Sequence, residues 1–162
     1  DDYSCEFMNE IIRKTNNELD ELADKLLGYS ETNVLFTREQ IKNIKRKYTF
    51  LLIKDWLLQE RVKKSCGTST VTVLYFYDTE GCSDCLVQGD VLTALKNRFK
   101  DKVMIFPLDA NIDVEMVKIL MNRFNITSTP SIVIDEKTYT GIVDMYRLNG
   151  MICERIEDRA CQ

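Results

Sequence analysis

An apolar seam with helical spacing marks the first part of the chain. From Met8 to Leu26, mainly apolar side chains recur at alternating steps of four and three residues, with polar residues between them. Gly28 follows at the position of a C-terminal helix cap. The pattern predicts a helix over residues 5–28, followed by a polar linker over residues 29–36.

A second and longer helix is predicted after this linker. Thr37 and Gln40 have the spacing of a capping box, and apolar residues then recur at helical spacing from Ile41 to Val62. The second half of this helix adds apolar side chains on further faces, namely Phe50, Ile53, Trp56 and Leu57. A single partner helix is too narrow to cover them, so we expect them to pack also on the following domain or on a second copy of the chain. Two such helices joined by a short linker pack antiparallel, which makes residues 1–67 a helical hairpin.

The apolar pattern changes its period after residue 67. Val71–Tyr77 is β-branched and aromatic throughout, which is typical of a strand buried on both faces. The further predicted elements are helices over residues 82–99, 114–124 and 143–157 and strands over residues 103–106, 131–134 and 138–141. The first strand, helix and second strand form a right-handed βαβ unit with parallel strands, and the last two strands form a hairpin. Residues 68–162 are therefore predicted to be an α/β domain.

Composition excludes several classes of function. The net charge of −4 gives no overall field that would draw the chain to nucleic acid. The chain contains no histidine, which excludes nucleophile pairs with histidine and histidine metal sites. The most apolar stretch of the first half, Phe50–Leu58, is interrupted by Lys54 and Asp55 and is too short to span a bilayer.

Six cysteines are present, and this even number points to disulfide pairing in an oxidising compartment. The chain begins at Asp1 rather than at methionine. We therefore expect a processed product, from which a signal segment or membrane anchor has been removed. The expected location is extracytoplasmic: secreted, periplasm-like or attached to a membrane.

The cysteines at positions 82 and 85 form the motif with the clearest chemistry. Cys82-Ser83-Asp84-Cys85 begins a predicted helix directly after a predicted strand. The unpaired N–H groups and the dipole at a helix N-terminus favour a thiolate on the first cysteine. Cys82 is therefore predicted to attack a substrate, and Cys85 to resolve the mixed disulfide that forms.

Residues 70–157 resemble the thioredoxin superfamily in more than this motif. Phe124–Pro130, followed by an apolar strand, is similar to that family's aromatic-Gly-Ile-x-x-x-Pro segment. Asp109 and Asn111 match a common family pattern after the second strand. The resemblance implies a thioredoxin-like α/β fold, in which helices flank a mixed sheet of about four strands. In this chain an antiparallel two-helix hairpin precedes that fold.

The resemblance also implies how substrates bind. In the family the proline of this segment follows a cis peptide bond and lies against the active-site disulfide. Pro130 would then be cis, and the backbone of Thr129 would bind a substrate peptide as a short antiparallel strand.

The sequence departs from the family in the groups that handle protons. The family's buried carboxylate falls at Phe76 and its lysine partner at Ile105, so the usual pair is absent. Three carboxylates lie close in sequence to the dithiol, namely Asp78, Glu80 and Asp84. Their negative charge is expected to raise the pKa of Cys82. The sequence therefore predicts a moderately or strongly reducing couple, or one specialised for a basic partner.

The other four cysteines are assigned by their positions. In an antiparallel hairpin Cys5 and Cys66 lie at the same end, so a structural disulfide is predicted to close the hairpin base. Cys153 in the last helix and Cys161 in the tail then pair by elimination. The alternatives are four unpaired thiols, or a zinc site built from the last four cysteines of the chain.

Two functions from different classes fit this pattern. The first is a thiol–disulfide oxidoreductase that acts on protein substrates and exchanges electrons with a redox partner protein. It needs no cofactor or metal, because the dithiol carries its own electrons. The second is a binding or dimerisation module, in which the hairpin holds a partner and the CxxC pair is a permanent disulfide. Retention of both cysteines favours the enzyme, whereas the missing buried carboxylate favours the module.

Overall fold

Two long helices form the N-terminal part of the protein, in a computed structural model that describes residues 2–32 and 37–162. Helix α1 spans Asp2–Thr32 and helix α2 spans Arg38–Cys66, and the two pack against each other. Leu19 and Leu22 of α1 and Leu51 of α2 are buried. The chain divides into two compact units, residues 1–67 and residues 68–162.

The ends of α2 show why it starts and stops where it does. The Thr37 side chain accepts a hydrogen bond from the Gln40 N–H at 3.2 Å, and the Gln40 side chain accepts one from the Thr37 N–H at 2.8 Å. This reciprocal pair confirms the predicted capping box. At the other end Gly67 has a φ of 68°, a left-handed conformation that favours glycine and ends the helix.

Helix α1 does not end where the sequence predicts. It continues through Gly28 to Thr32, so the prediction of a cap at Gly28 is wrong. A glycine inside a helix costs only about 1 kcal/mol relative to alanine, which the packing of a long helix outweighs. Of the predicted linker, residues 33–36 lie outside the described residues.

The second unit is built on a mixed sheet of four strands. The strands are β1 (Val71–Tyr77), β2 (Val103–Asp109), β3 (Ser131–Ile134) and β4 (Lys137–Thr140). Their spatial order is β2-β1-β3-β4, with β1 parallel to β2 and the other two pairs antiparallel. The helices are α3 (Ser83–Phe99), α4 (Glu115–Arg123) and α5 (Met145–Cys153). The predicted fold class, an α/β domain preceded by a two-helix hairpin, is confirmed.

Strand β1 explains how the sheet is buried. Along it, Val73 and Tyr75 join a core with Leu95 of α3 and Leu148 of α5. The alternate residues point to the other face, and Phe76 among them is fully buried. Burial on both faces is the physical reason for the continuous apolar run that predicted this strand.

Several boundaries of the second unit differ from the prediction. Strand β2 continues past Pro107, because it is the edge strand, where a missing N–H leaves no gap in the sheet. Asp135 and Glu136 both have positive φ and form the two-residue turn of the hairpin, which places β4 one residue earlier than predicted. Helix α5, predicted over residues 143–157, spans Met145–Cys153, and the tail that follows turns back so that Cys161 bonds to Cys153. No helix in the described ranges has the length and apolar character needed to cross a bilayer.

Candidate redox site

A disulfide between Cys82 and Cys85 lies at the start of α3, directly after the loop that follows β1. Cys82 is the N-cap residue of α3, and its sulfur accepts a hydrogen bond from the Cys85 N–H at 3.1 Å. The Cys85 side chain is only 4% exposed, whereas Cys82 is partly exposed. A substrate can therefore reach the sulfur of Cys82 more easily than that of Cys85.

The loop before β3 lies against this disulfide. The Thr129–Pro130 peptide bond is cis. The carbonyl oxygen and the hydroxyl oxygen of Thr129 each lie 3.8 Å from the Cys82 sulfur. The fold thus brings together the two cysteines and the Thr129–Pro130 segment, although they are about 45 positions apart in sequence.

Asp78 lies at the centre of a polar network beside the dithiol. Its Oδ2 accepts a hydrogen bond from the Thr129 hydroxyl at 2.6 Å, and its Oδ1 accepts one from the Asn111 side-chain amide. The Asn111 backbone N–H in turn donates to Asp109 Oδ1 at 2.9 Å. The network therefore joins the loop after β1, the loop after β2 and the segment before β3.

Sequence reasoning missed these contacts of Asp78 and Asn111. One signal was present, because both residues follow neighbouring parallel strands, and the C-terminal ends of such strands lie together. In the structure Tyr77 is paired with Asp109 at that edge. The register needed to place Asp78 beside Asn111 is a property of the folded sheet.

The other two predicted carboxylates have a different setting. Glu80 and Asp84 are both exposed, and Asp84 lies in the first turn of α3. Solvent screens charges at exposed positions. Their predicted effect on the Cys82 thiol stays a prediction.

Uncharged buried side chains fix the position of α3, the helix that begins at the dithiol. The Tyr75 hydroxyl donates a hydrogen bond to the Cys85 carbonyl oxygen, and burial raises the pKa of Tyr75 to about 12. Gln88 is fully buried, and its amide bonds to both the carbonyl oxygen and the N–H of Val143, at 3.1 and 2.6 Å. The buried Phe76 occupies the position where the family resemblance places a carboxylate.

An open cleft of about 920 Å³ lies next to the dithiol, between α3 and the ends of β1 and β2. Its walls include Tyr75, Tyr77, Pro107, Leu86 and Gly89, together with both cysteines. Leu86 is 74% exposed despite its apolar side chain. The cleft therefore leaves the region around Cys82 open to solvent and to a partner.

The remaining cysteines are also paired. Disulfides join Cys5 to Cys66 and Cys153 to Cys161, with Cα–Cα distances of 6.0 and 5.6 Å. All six cysteines are thus in disulfides. Within the described part of the chain, no cluster of three or more Cys, Asp or Glu residues has the arrangement of a metal site.

Comparison with known proteins yields structural likeness only. No protein-family model matches the chain, and no curated protein matches it. Chloroplastic thioredoxin z is 19% identical over 59% of this chain and 86% of its own, with a TM-score of 0.47. Thioredoxin O2 of Arabidopsis thaliana is 20% identical over 59% and 83%, with a TM-score of 0.44. The germline-specific thioredoxin Deadhead of Drosophila melanogaster is 18% identical over 64% and 94%, also with a TM-score of 0.44.

At these identities and TM-scores, no statement about activity or partners follows from the likeness. The sheet order and strand directions of the second unit, and the cysteine pair at the start of α3, are features of the molecule itself. They identify a thioredoxin-like fold that carries a redox or binding module, preceded by a helical hairpin.

Proposed function

We propose that the protein is a thiol–disulfide oxidoreductase that acts on protein substrates. The observation that carries this proposal is the unequal pair of sulfurs at the start of α3. Cys82 is partly exposed and its sulfur accepts a hydrogen bond from a helix N–H, whereas Cys85 is buried one turn further on. An exposed attacking sulfur and a covered resolving sulfur are what two-step disulfide exchange requires.

The exchange proceeds in two balanced steps. The Cys82 thiolate attacks one sulfur of a substrate disulfide, and the other substrate sulfur leaves as a thiolate and takes up a proton. The Cys85 thiolate then attacks the Cys82 sulfur, which breaks the mixed disulfide and releases the second substrate sulfur. Two electrons pass to the substrate, and a redox partner protein must supply them again. The same steps in reverse oxidise a dithiol substrate.

Thr129 is proposed to position the substrate chain. Its carbonyl oxygen is 3.8 Å from the Cys82 sulfur, so an extended peptide that pairs with this backbone would bring its own cysteine to that sulfur.

The proposed location is extracytoplasmic, and it is supported by the pairing of all six cysteines. We further infer a reducing couple, because Asp78, Glu80 and Asp84 lie close in sequence to the dithiol and their negative charge is expected to oppose a stable thiolate.

The proposal is tested by disulfide exchange with a model peptide that contains one disulfide. We expect Cys82→Ser to abolish exchange, and Cys85→Ser to accumulate a mixed disulfide with the peptide, because the attacking sulfur is retained without its resolving partner. Ser83→Ala, which changes only an exposed neighbour, serves as the control and should keep full exchange. Mass spectrometry of the quenched reaction detects the trapped adduct.

Two outcomes would contradict the proposal. Exchange by Cys82→Ser at the wild-type rate would remove Cys82 from the reaction. A Cys82–Cys85 disulfide that resists excess dithiothreitol would favour the binding module instead. Equilibration with glutathione buffers also measures the reduction potential, and a value near that of the strongest disulfide oxidases, about −120 mV, would contradict the inference of a reducing couple.

A further inference from the structure

The Thr129 hydroxyl is shared between a carboxylate and the attacking sulfur. It lies 2.6 Å from Asp78 Oδ2 and 3.8 Å from Cys82 Sγ. A threonine hydroxyl has a single proton, and a hydrogen bond to a carboxylate at this distance is much the stronger of the two contacts. The proton therefore lies toward Asp78, and the lone pairs of the hydroxyl oxygen face the sulfur.

The polar surroundings of the Cys82 sulfur act in two directions. The Cys85 N–H donates a hydrogen bond to the sulfur at 3.1 Å, which favours a thiolate. The Thr129 carbonyl oxygen, 3.8 Å from the sulfur, offers only lone pairs. The Thr129 hydroxyl, also at 3.8 Å, is placed where it could donate to the sulfur, but its one proton is engaged by Asp78 at 2.6 Å. An acceptor binds the S–H of a neutral thiol but repels the negative charge of a thiolate.

We propose that Asp78 is a positioning residue, which orients the Thr129 hydroxyl and thereby favours the protonated form of Cys82 near neutral pH. The inference rests on the proposed role of Cys82 as the attacking sulfur. Asn111 holds Asp78 in place by donating to its other carboxylate oxygen. Attack requires the Cys82 sulfur to lose its proton to solvent. The contact between Asp78 and Thr129 therefore shifts the pH at which exchange becomes fast to a higher value.

The test measures the titration of Cys82 in a Cys85→Ser background, where Cys82 is the only free thiol. The readout is the pH dependence of the rate of alkylation by iodoacetamide. Asp78→Asn removes the charge and offers an amide N–H to the Thr129 oxygen, which frees the hydroxyl proton to turn toward the sulfur. We expect alkylation at pH 7 to become about tenfold faster, the change that corresponds to about one pKa unit. Thr129→Ser keeps a hydroxyl and should keep the wild-type titration.

A double-mutant cycle separates the hydroxyl from a simple charge effect. In the Thr129→Val background the hydroxyl is absent, so only the long-range effect of removing the Asp78 charge remains. Asp78→Asn should then change the alkylation rate by less than about threefold. Asp84→Asn is the matched control, because it removes another carboxylate near the dithiol that has no contact with Thr129. Its effect should be the same with and without the Thr129 hydroxyl.

The inference is overturned if Asp78→Asn leaves the alkylation profile unchanged, or if its effect is equally large in the Thr129→Val background. The readout uses a small alkylating agent and no disulfide substrate. A protein that fails to exchange disulfides would therefore leave this result intact. Conversely, if Asp78 does not affect the titration of Cys82, the exchange activity is still unchallenged. Each proposal can therefore be refuted without refuting the other.

Discussion

Individual buried side chains fix the dithiol helix without the help of charge. Tyr75 and Gln88 bond to backbone atoms of Cys85 and Val143, and Phe76 packs at the position of the family's carboxylate. None of these groups ionises near neutral pH. The geometry beneath the dithiol should therefore be insensitive to pH in that range, and pH effects on exchange should come from the groups around the Cys82 sulfur.

Tyr75 provides a stability prediction at the residue scale. Tyr75→Phe removes the hydrogen bond from the hydroxyl to the Cys85 carbonyl oxygen, so we expect a loss of about 1 kcal/mol in the free energy of unfolding, measured in urea at pH 7. Burial raises the Tyr75 pKa from 10.0 to about 12, so the folded state holds this proton more tightly than the unfolded chain. The contribution of the hydroxyl is complete below pH 10 and is lost as the pH rises toward 12. A difference between wild type and variant that stays constant up to pH 12 would contradict this account.

Asp55 provides a second prediction of the opposite sign. It is fully buried, Gln59 donates to its Oδ1 at 3.1 Å, and its Oδ2 has no hydrogen-bond partner among the described residues. Burial raises the pKa of this carboxyl, because the charged form is poorly solvated. At pH 7 the unfolded chain carries this charge in water, so folding must either bury the charge or take up a proton, and both lower stability. Asp55→Asn should therefore raise the free energy of unfolding by about 1–3 kcal/mol.

The pH dependence of this effect follows from linkage. The folded state binds the Asp55 proton more tightly than the unfolded chain, so wild-type stability rises relative to Asp55→Asn as the pH falls from 7 toward the ordinary aspartate range. The exposed Asp20→Asn is the control and should change stability little at either pH. A gap between wild type and Asp55→Asn that widens on acidification would refute the assignment.

Local chemistry at single residues was predictable where it depends on neighbours in sequence. The capping box at Thr37 and the cysteine pair at the start of α3 both lie within one helical turn, so their spacing alone predicts their contacts. The link from Asp78 to Thr129 crosses 51 positions. Such a contact depends on strand register and on the path of the loop before β3, which no local pattern encodes.

At the scale of elements, the Cys5–Cys66 disulfide joins the start of α1 to the end of α2. It closes a loop of 61 positions, and the chain-entropy account gives it about 4 kcal/mol of stabilisation. We therefore expect the double variant Cys5→Ser/Cys66→Ser to lose that amount, measured by thermal and urea unfolding under non-reducing conditions. The reason is that the unfolded chain regains the freedom that the long loop had removed.

The matched control is the other structural disulfide. Cys153 and Cys161 are separated by 8 positions, so Cys153→Ser/Cys161→Ser should cost less, about 2.5 kcal/mol. The tail is also held by hydrogen bonds from Arg98 to the Ala160 carbonyl and from Lys102 to the Glu157 carbonyl. A larger loss from the short loop than from the long one would contradict the entropic explanation.

The bounds of some helices and strands follow from their own residues, whereas the bounds of others depend on tertiary contacts. Strands β1 and β3 have the predicted bounds, because each is a mainly apolar run buried in the sheet. Gly28 misled the prediction, since glycine often ends a helix but is tolerated within a long one. Strand β2 is longer than predicted and includes Pro107, which is tolerated at a sheet edge. Helix α5 ends at Cys153, the residue that bonds to Cys161 in the tail, whereas its helical periodicity predicted an end at residue 157.

At the scale of the whole molecule, the absence of histidine shapes the response to pH. Histidine is the only side chain whose ordinary pKa lies between pH 5 and 8. A chain without it has no side chain that titrates in that range unless its environment shifts the pKa. We therefore expect a change in stability between these pH values to come from groups whose pKa the fold shifts, such as the Asp55 carboxyl, whose pKa burial raises.

The Cys82 sulfur has two structural roles. The Cys82 sulfur is half of a covalent bond that exchange would break, and it is also the acceptor that caps the first turn of α3. Each transfer of that bond changes the chemical state of the sulfur that accepts the Cys85 amide proton. The chemical shift of the Cys85 backbone amide should therefore report the oxidation state of the Cys82–Cys85 pair, and nuclear magnetic resonance can measure it without an added probe.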